Sequence, residues 1–144
     1  MIKVIIALQG KGDTGKTTTL KMLIEIIKQN GHVVTTLKQY KKDIVIVAEI
    51  NGKNIGVTTR GDFKSYLATD FAEFEKWSCG LCVCACRCKG DTVDFLKEQS
   101  KGNTLIYHGE WYIEPKECTD LASDIEKANT YQAQIIYDEI IRML

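Results

Sequence analysis

The chain has 144 residues, 44% of them hydrophobic and only one of them proline, which suits a single folded domain and excludes a disordered chain. Nineteen basic residues balance nineteen acidic ones, so no general pull toward nucleic acid or acidic membranes is expected. No apolar run reaches membrane-spanning length, and residues 2–8 are too short and wrongly flanked for a signal peptide; the expectation is a cytoplasmic protein with no membrane partner and reduced cysteines.

Residues 2–8 (IKVIIAL) are β-branched and apolar, as for a strand buried on both faces. Leu20, Leu23, Ile24 and Ile27 recur at helical spacing and predict a helix over 17–30, with Asn30-Gly31 as its stop. Residues 32–37 read as a second strand. Residues 43–59 read as two strands joined by an Asn-Gly turn. Asp62 is able to cap the next helix, whose apolar stripe is Phe63, Tyr66, Leu67, Phe71, Phe74 and Trp77. Residues 80–87 (GLCVCACR) form another buried strand, followed by a short helix from Asp91 or Thr92 to Gln99. Residues 103–115 read as one strand, or two broken at Gly109. The last helix starts near Thr119 and turns Leu121, Ile125, Ala128, Ile135, Ile136, Ile140 and Ile141 toward the core. Strands alternating with helices predict an α/β fold: a three-layer α/β/α sandwich with a mostly parallel sheet and one antiparallel hairpin, as one domain over 1–144.

The first strand leads into Gly10-Lys11-Gly12-Asp13-Thr14-Gly15-Lys16-Thr17, with Thr18 beside it, which fits G-x-x-x-x-G-K-[ST] at every fixed position. Glycines let backbone N–H groups wrap a β-phosphate, and the helix that follows adds its positive end. On this motif, and on the strand before it and helix after it, the sequence resembles the P-loop NTPase superfamily. The resemblance implies a bound nucleoside triphosphate, ATP before GTP, with Mg²⁺. It implies that Lys16 reaches the β- and γ-phosphates and that the Thr17 hydroxyl ligates the metal. Lys11 stands where partitioning and arsenical-pump ATPases carry a lysine that crosses a dimer interface, so a homodimer is an option. Those families' usual second glycine is Asp13 here, and no aspartate ends the second strand.

Such NTPases hold Mg²⁺ with a carboxylate at the end of another strand. Glu49 and Asp62 compete. If the second strand runs parallel to the first, the following two run down and up, which puts Asp62 on the nucleotide edge and Glu49 on the far one. The segment Thr58-Thr59-Arg60-Gly61-Asp62 is therefore the expected metal-side site, with Gly61 allowing close approach to a γ-phosphate and Arg60 neutralising charge. The same topology brings Lys38, Lys41 and Lys42 to that edge. Arg87 and Lys89 are placed to meet phosphates or an acceptor, and Cys88-Lys89-Gly90-Asp91 echoes the guanine-reading N/T-K-x-D motif of GTPases, its first residue differing. Asp91 also reads as a helix cap. His108, Gly109, Glu110 and Trp111 follow the last strand, where a base could stack on Trp111.

Cys79 and Cys82 have a zinc-type spacing, but Cys82, Cys84, Cys86 and Cys88 on a strand are strung too far apart to close one tetrahedron, so core packing is the stronger reading. Cys118 stands apart. The leading functional expectation is an ATP-hydrolysing NTPase, with Lys16, Asp62, Arg60 and Arg87 as its chemical groups. A small-molecule or nucleotide kinase with a phosphate acceptor, and a non-catalytic nucleotide-dependent module with a protein partner, are the alternatives.

Overall fold

The computed structural model describes residues 2–10, 15–109 and 121–144, with backbone alone at 108–109 and 121–125. The described chain forms β1 (Val4–Gln9), α1 (Lys16–Gln29), β2 (Val33–Gln39), β3 (Ile44–Ile50), β4 (Lys53–Thr58), α2 (Lys64–Lys76), β5 (Leu81–Cys86), α3 (Asp91–Gln99), β6 (Thr104–Gly109) and α4 (Leu121–Met143). None of the described helices is long and apolar enough to cross a membrane.

One six-stranded sheet runs in the order β2-β3-β4-β5-β1-β6. β1 pairs in parallel with β5 and β6, and β4 with β5, while β3 is antiparallel to both β2 and β4. The sheet is thus mostly parallel, but the antiparallel part is a three-strand meander rather than one hairpin. The few residues between β2 and β3 are too short for the dozen-residue crossover that parallel pairing needs. Between β3 and β4, Ile50 faces Lys53 across a two-residue loop, and Asn51 and Gly52 take φ of 53° and 76°, the pair of left-handed residues that a type I′ turn requires.

The connections set the layers. β1 passes through α1 toward one end of the sheet, whereas β4 through α2 and β5 through α3 move toward the other. Right-handed crossovers then place α1 opposite to α2 and α3. Two apolar cores match this. One joins Leu20, Leu23 and Ile27 of α1 to Ala133, Ile136 and Ile140 of α4 over Ile6, Leu8 and Val83. The other joins Leu67, Phe71 and Phe74 of α2 to Val93 and Leu96 of α3 over Ile5 and the cysteines of β5.

The expected α2 stripe is half right. Leu67, Phe71 and Phe74 are buried, but Phe63, Tyr66 and Trp77 are exposed. In α4, Ile136 and Ile140 are buried, Tyr137 joins them, and Ile141 is exposed. Expectations for residues 110–120, including Trp111 and Cys118, lie outside the described residues. α1 ends as its sequence predicts: Gly31 at φ 82° donates to the Lys28 carbonyl and His32 to that of Ile27, the paired bonds of a Schellman stop.

Candidate functional site

β1 and β5 are adjacent parallel strands whose helices leave to opposite faces. Their carboxyl ends therefore part at a switch point, the position in such sheets where a crevice forms. The Gly10 N–H donates to the Cys86 carbonyl at 3.1 Å. The Gln9 side-chain amide donates to the Arg87 and Cys88 carbonyls at 3.4 and 3.5 Å. These bonds tie the start of the glycine-rich segment to the end of β5.

Gly15 is the N-cap of α1 at φ 93°, a conformation that disfavours any residue with a Cβ. Among the described residues no side chain caps α1, and its first turn carries no acid. Thr19 N–H donates to Gly15 O at 2.9 Å at the start of the helix. The helix therefore places the positive end of its dipole at this edge. Lys16 is only 6% exposed, and its Nζ donates to the Gly10 carbonyl at 2.6 Å, folding back across the mouth of the segment. Thr17 is half-buried beside it and Thr18 is exposed. Lys11, Gly12, Asp13 and Thr14 lie outside the described residues.

The strand directions put the end of β4 on this same edge and Glu49, opposite Asn54 near the tight turn, on the other. β5 intervenes between β4 and β1, so the ends of β4 and β1 are two strand spacings, about 10 Å, apart. Asp62 does not cap α2: the N-cap is Phe63, and no side chain bonds there. The Asp62 carboxylate instead pairs with Arg87 at 3.3 Å, both about half exposed, an interaction worth no more than about 1 kcal/mol. Lys38, Lys41 and Lys42 are exposed around the β2–β3 turn. Asp91 is the first residue of α3 rather than its cap, which is Gly90. There it complements the helix dipole.

Arg60 is committed within the protein. Its Nε donates to Asp70 Oδ2 at 3.1 Å and a terminal nitrogen to Oδ1 at 2.7 Å. The guanidinium lies between the Tyr40 and Tyr66 rings, 4.4 Å from each centroid. Thr58 Oγ1 donates to Asp70 at 2.8 Å and accepts from the Arg60 N–H at 3.1 Å. Burial alone would lower the Arg60 pKa, but the hydrogen bond and charge of Asp70, with Tyr40 and Asp43, hold it above the ordinary value. Next to it, Thr59 Oγ1 donates to Asp43 Oδ1 at 2.8 Å and accepts from Ile44 N–H at 3.0 Å. Gly61 packs on β5 so closely that a Cβ would collide with the Ala85 carbonyl and side chain.

Asp70 and Tyr40 are the residues that sequence reasoning missed. The available signal was that Asp70 lies three residues after Leu67 and four before Phe74, on the apolar face of α2. A carboxylate at such a position needs a partner.

Cys82, Cys84 and Cys86 point from β5 into the α2/α3 core, with Cys79 beside them, and Cys88 is exposed beyond the strand. Burial pushes the Cys79 thiol up to about 12 and Cys86 to about 11, and raises Cys82 and Cys84 as well. The charge of Lys16 acts against the shift at Cys86, which places that lysine near the end of β5. Among the described residues no three His, Cys, Asp or Glu side chains gather to hold a metal ion. Mg²⁺ asks less of a protein, needing one or two carboxylate or hydroxyl ligands and keeping several waters.

No protein-family model, no curated protein and no solved structure matches the chain.

Proposed function

We propose that the chain binds a Mg²⁺–nucleoside triphosphate, ATP before GTP, at the carboxyl edge of β1 and hydrolyses it. The observation that carries this reading is Lys16: a nearly buried lysine in the first turn of α1, folded back onto Gly10 at the switch point of a parallel sheet. The residues fit a polyphosphate. Gly15 in the left-handed region, the positive end of the α1 dipole and the absence of any acid in the first turn all favour an anion there. Lys16 exchanges its Gly10 carbonyl for a phosphate oxygen. The Thr17 hydroxyl and, through water, Asp62 are the groups that hold the metal. Mg²⁺ supplies charge neutralisation on the β- and γ-phosphates. Arg87 and Lys89 supply the mobile positive charge on this edge, since Arg60 is neutralised by Asp70.

The test is calorimetric titration of ATP and GTP into wild type and Lys16→Ala. Micromolar binding that weakens at least tenfold in the variant, with turnover lost, is expected. Equal affinity in the two proteins refutes the site. A phosphotransferase is the second reading, favoured by a cavity beside Asp62.

A further inference from the structure

A cavity of about 230 Å³ opens between the β4–α2 and β5–α3 connections, lined by Phe63, the cations Lys64, Arg87 and Lys89, and the carboxylates Asp62 and Asp91. Its make-up breaks local rules. Phe63 occupies the N-cap of α2, where a side chain that cannot bond the helix amides forgoes about 1 kcal/mol, and it stays 58% exposed. Its ring lies edge-on against Tyr66, centroids 5.2 Å apart. Lys64 follows at the first helical position, where the dipole repels a cation, and no acid offsets it in that turn. Among the described residues neither Lys64 nor Lys89 has a carboxylate partner. Arg87 is paired with Asp62, and its N–H is fixed by the Thr92 hydroxyl at 3.1 Å. Locally unfavourable choices that converge on one cavity are the pattern of a binding site.

We infer that this cavity binds a phosphate monoester of a ring-bearing small molecule, of the nucleoside monophosphate class, its phosphate between Lys64 and Lys89 and its ring on Phe63. The volume, below the usual range for a whole drug-sized ligand, suits a phosphate and sugar inside with the ring at the rim. The inference rests on the triphosphate reading only for its neighbour: the Arg87 backbone is tied to Gln9, at the end of β1.

The experiment titrates nucleoside 5′-monophosphates, ribose 5-phosphate and inorganic phosphate into wild type, Lys64→Ala/Lys89→Ala, Phe63→Ala and Lys16→Ala. Nucleoside monophosphates are expected to bind with Kd below about 1 mM. The double lysine variant loses that at least tenfold, Phe63→Ala weakens the nucleotides but not ribose 5-phosphate, and Lys16→Ala leaves it within twofold. Circular dichroism melts establish that the variants fold. No saturable monophosphate binding in wild type overturns the inference, as does binding unaffected by the double variant or lost only with Lys16→Ala. A failure of triphosphate binding alone leaves these arms readable.

Discussion

Replacing Asp70 with alanine should be among the most damaging single changes in this protein. The carboxylate is almost fully buried and accepts three hydrogen bonds: two from Arg60, at 3.1 and 2.7 Å, and one from Thr58 at 2.8 Å. Its removal strands a guanidinium that is itself only 9% exposed, and leaves the Thr58 hydroxyl without its acceptor. Breaking a buried pair from one side costs about 3–5 kcal/mol. The Tyr40 and Tyr66 rings stay against Arg60 in both proteins, so they do not soften the difference. Against a domain stability of about 5–15 kcal/mol, the loss is a large fraction. With a urea m-value of about 2 kcal/mol/M, the unfolding midpoint should fall by about 1.5–2.5 M. The double variant Arg60→Met/Asp70→Leu removes both charges together, and should cost far less than the two single changes added. A midpoint shift below about 0.5 M for Asp70→Ala, or simple additivity in the double variant, would refute the argument that the pair anchors the end of β4.

The buried thiols make stability fall in alkali. Below the unfolded thiol value of 9.0 Cys79 and Cys86 are protonated in both states; above it these positions ionise in the unfolded chain, while in the folded protein Cys86 holds its proton to about 11 and Cys79 to about 12. Each such thiol steepens the loss by up to about 1.4 kcal/mol per pH unit, so the urea midpoint should drop between about pH 9 and about pH 11, and an unmoved midpoint contradicts their burial. Ser78 sits at φ 56° just past α2, where its N–H donates to Glu75 O and that of Cys79 to Phe74 O. Ser78→Gly keeps this stop without the left-handed penalty and should gain about 0.5 kcal/mol, read as a melting temperature one to two degrees higher; a lower one refutes it.

What was legible in the sequence was local or directional. The Asn51-Gly52 turn and the Asn30-Gly31 stop each depend on residues in immediate sequence, and both form as read. The placement of Asp62 on the same edge as the glycine-rich segment needed only strand directions, which the short β3–β4 turn determines. Helical spacing, by contrast, marks an apolar stripe without saying how much of it a neighbour covers. Tyr66 leaves the core to cover Arg60, and Phe63 and Trp77 sit at the two ends of α2, beyond what the sheet can shield. The Arg60–Asp70 pair and Tyr40 come together only through the packing of α2 and the β2–β3 turn onto β4. No short window of sequence contains that meeting.

That meeting also divides labour along one short stretch. Residues 58–61 are held from every side: Thr58 and Arg60 by Asp70, Thr59 by Asp43, Gly61 by the backbone of β5. Asp62, the next residue, is exposed and makes only a solvent-screened pair with Arg87. The metal-holding role proposed for Asp62 suits such an arrangement of fixed root and free head, because a loosely rooted ligand loses its geometry and a fully paired one cannot exchange partners. Arg60 therefore belongs to the root. Around the same cavity Lys64 and Lys89 have no carboxylate partner among the described residues, and Arg87 makes only the screened pair with Asp62. Loosening the root through Asp70 should consequently disturb Asp62 without touching it.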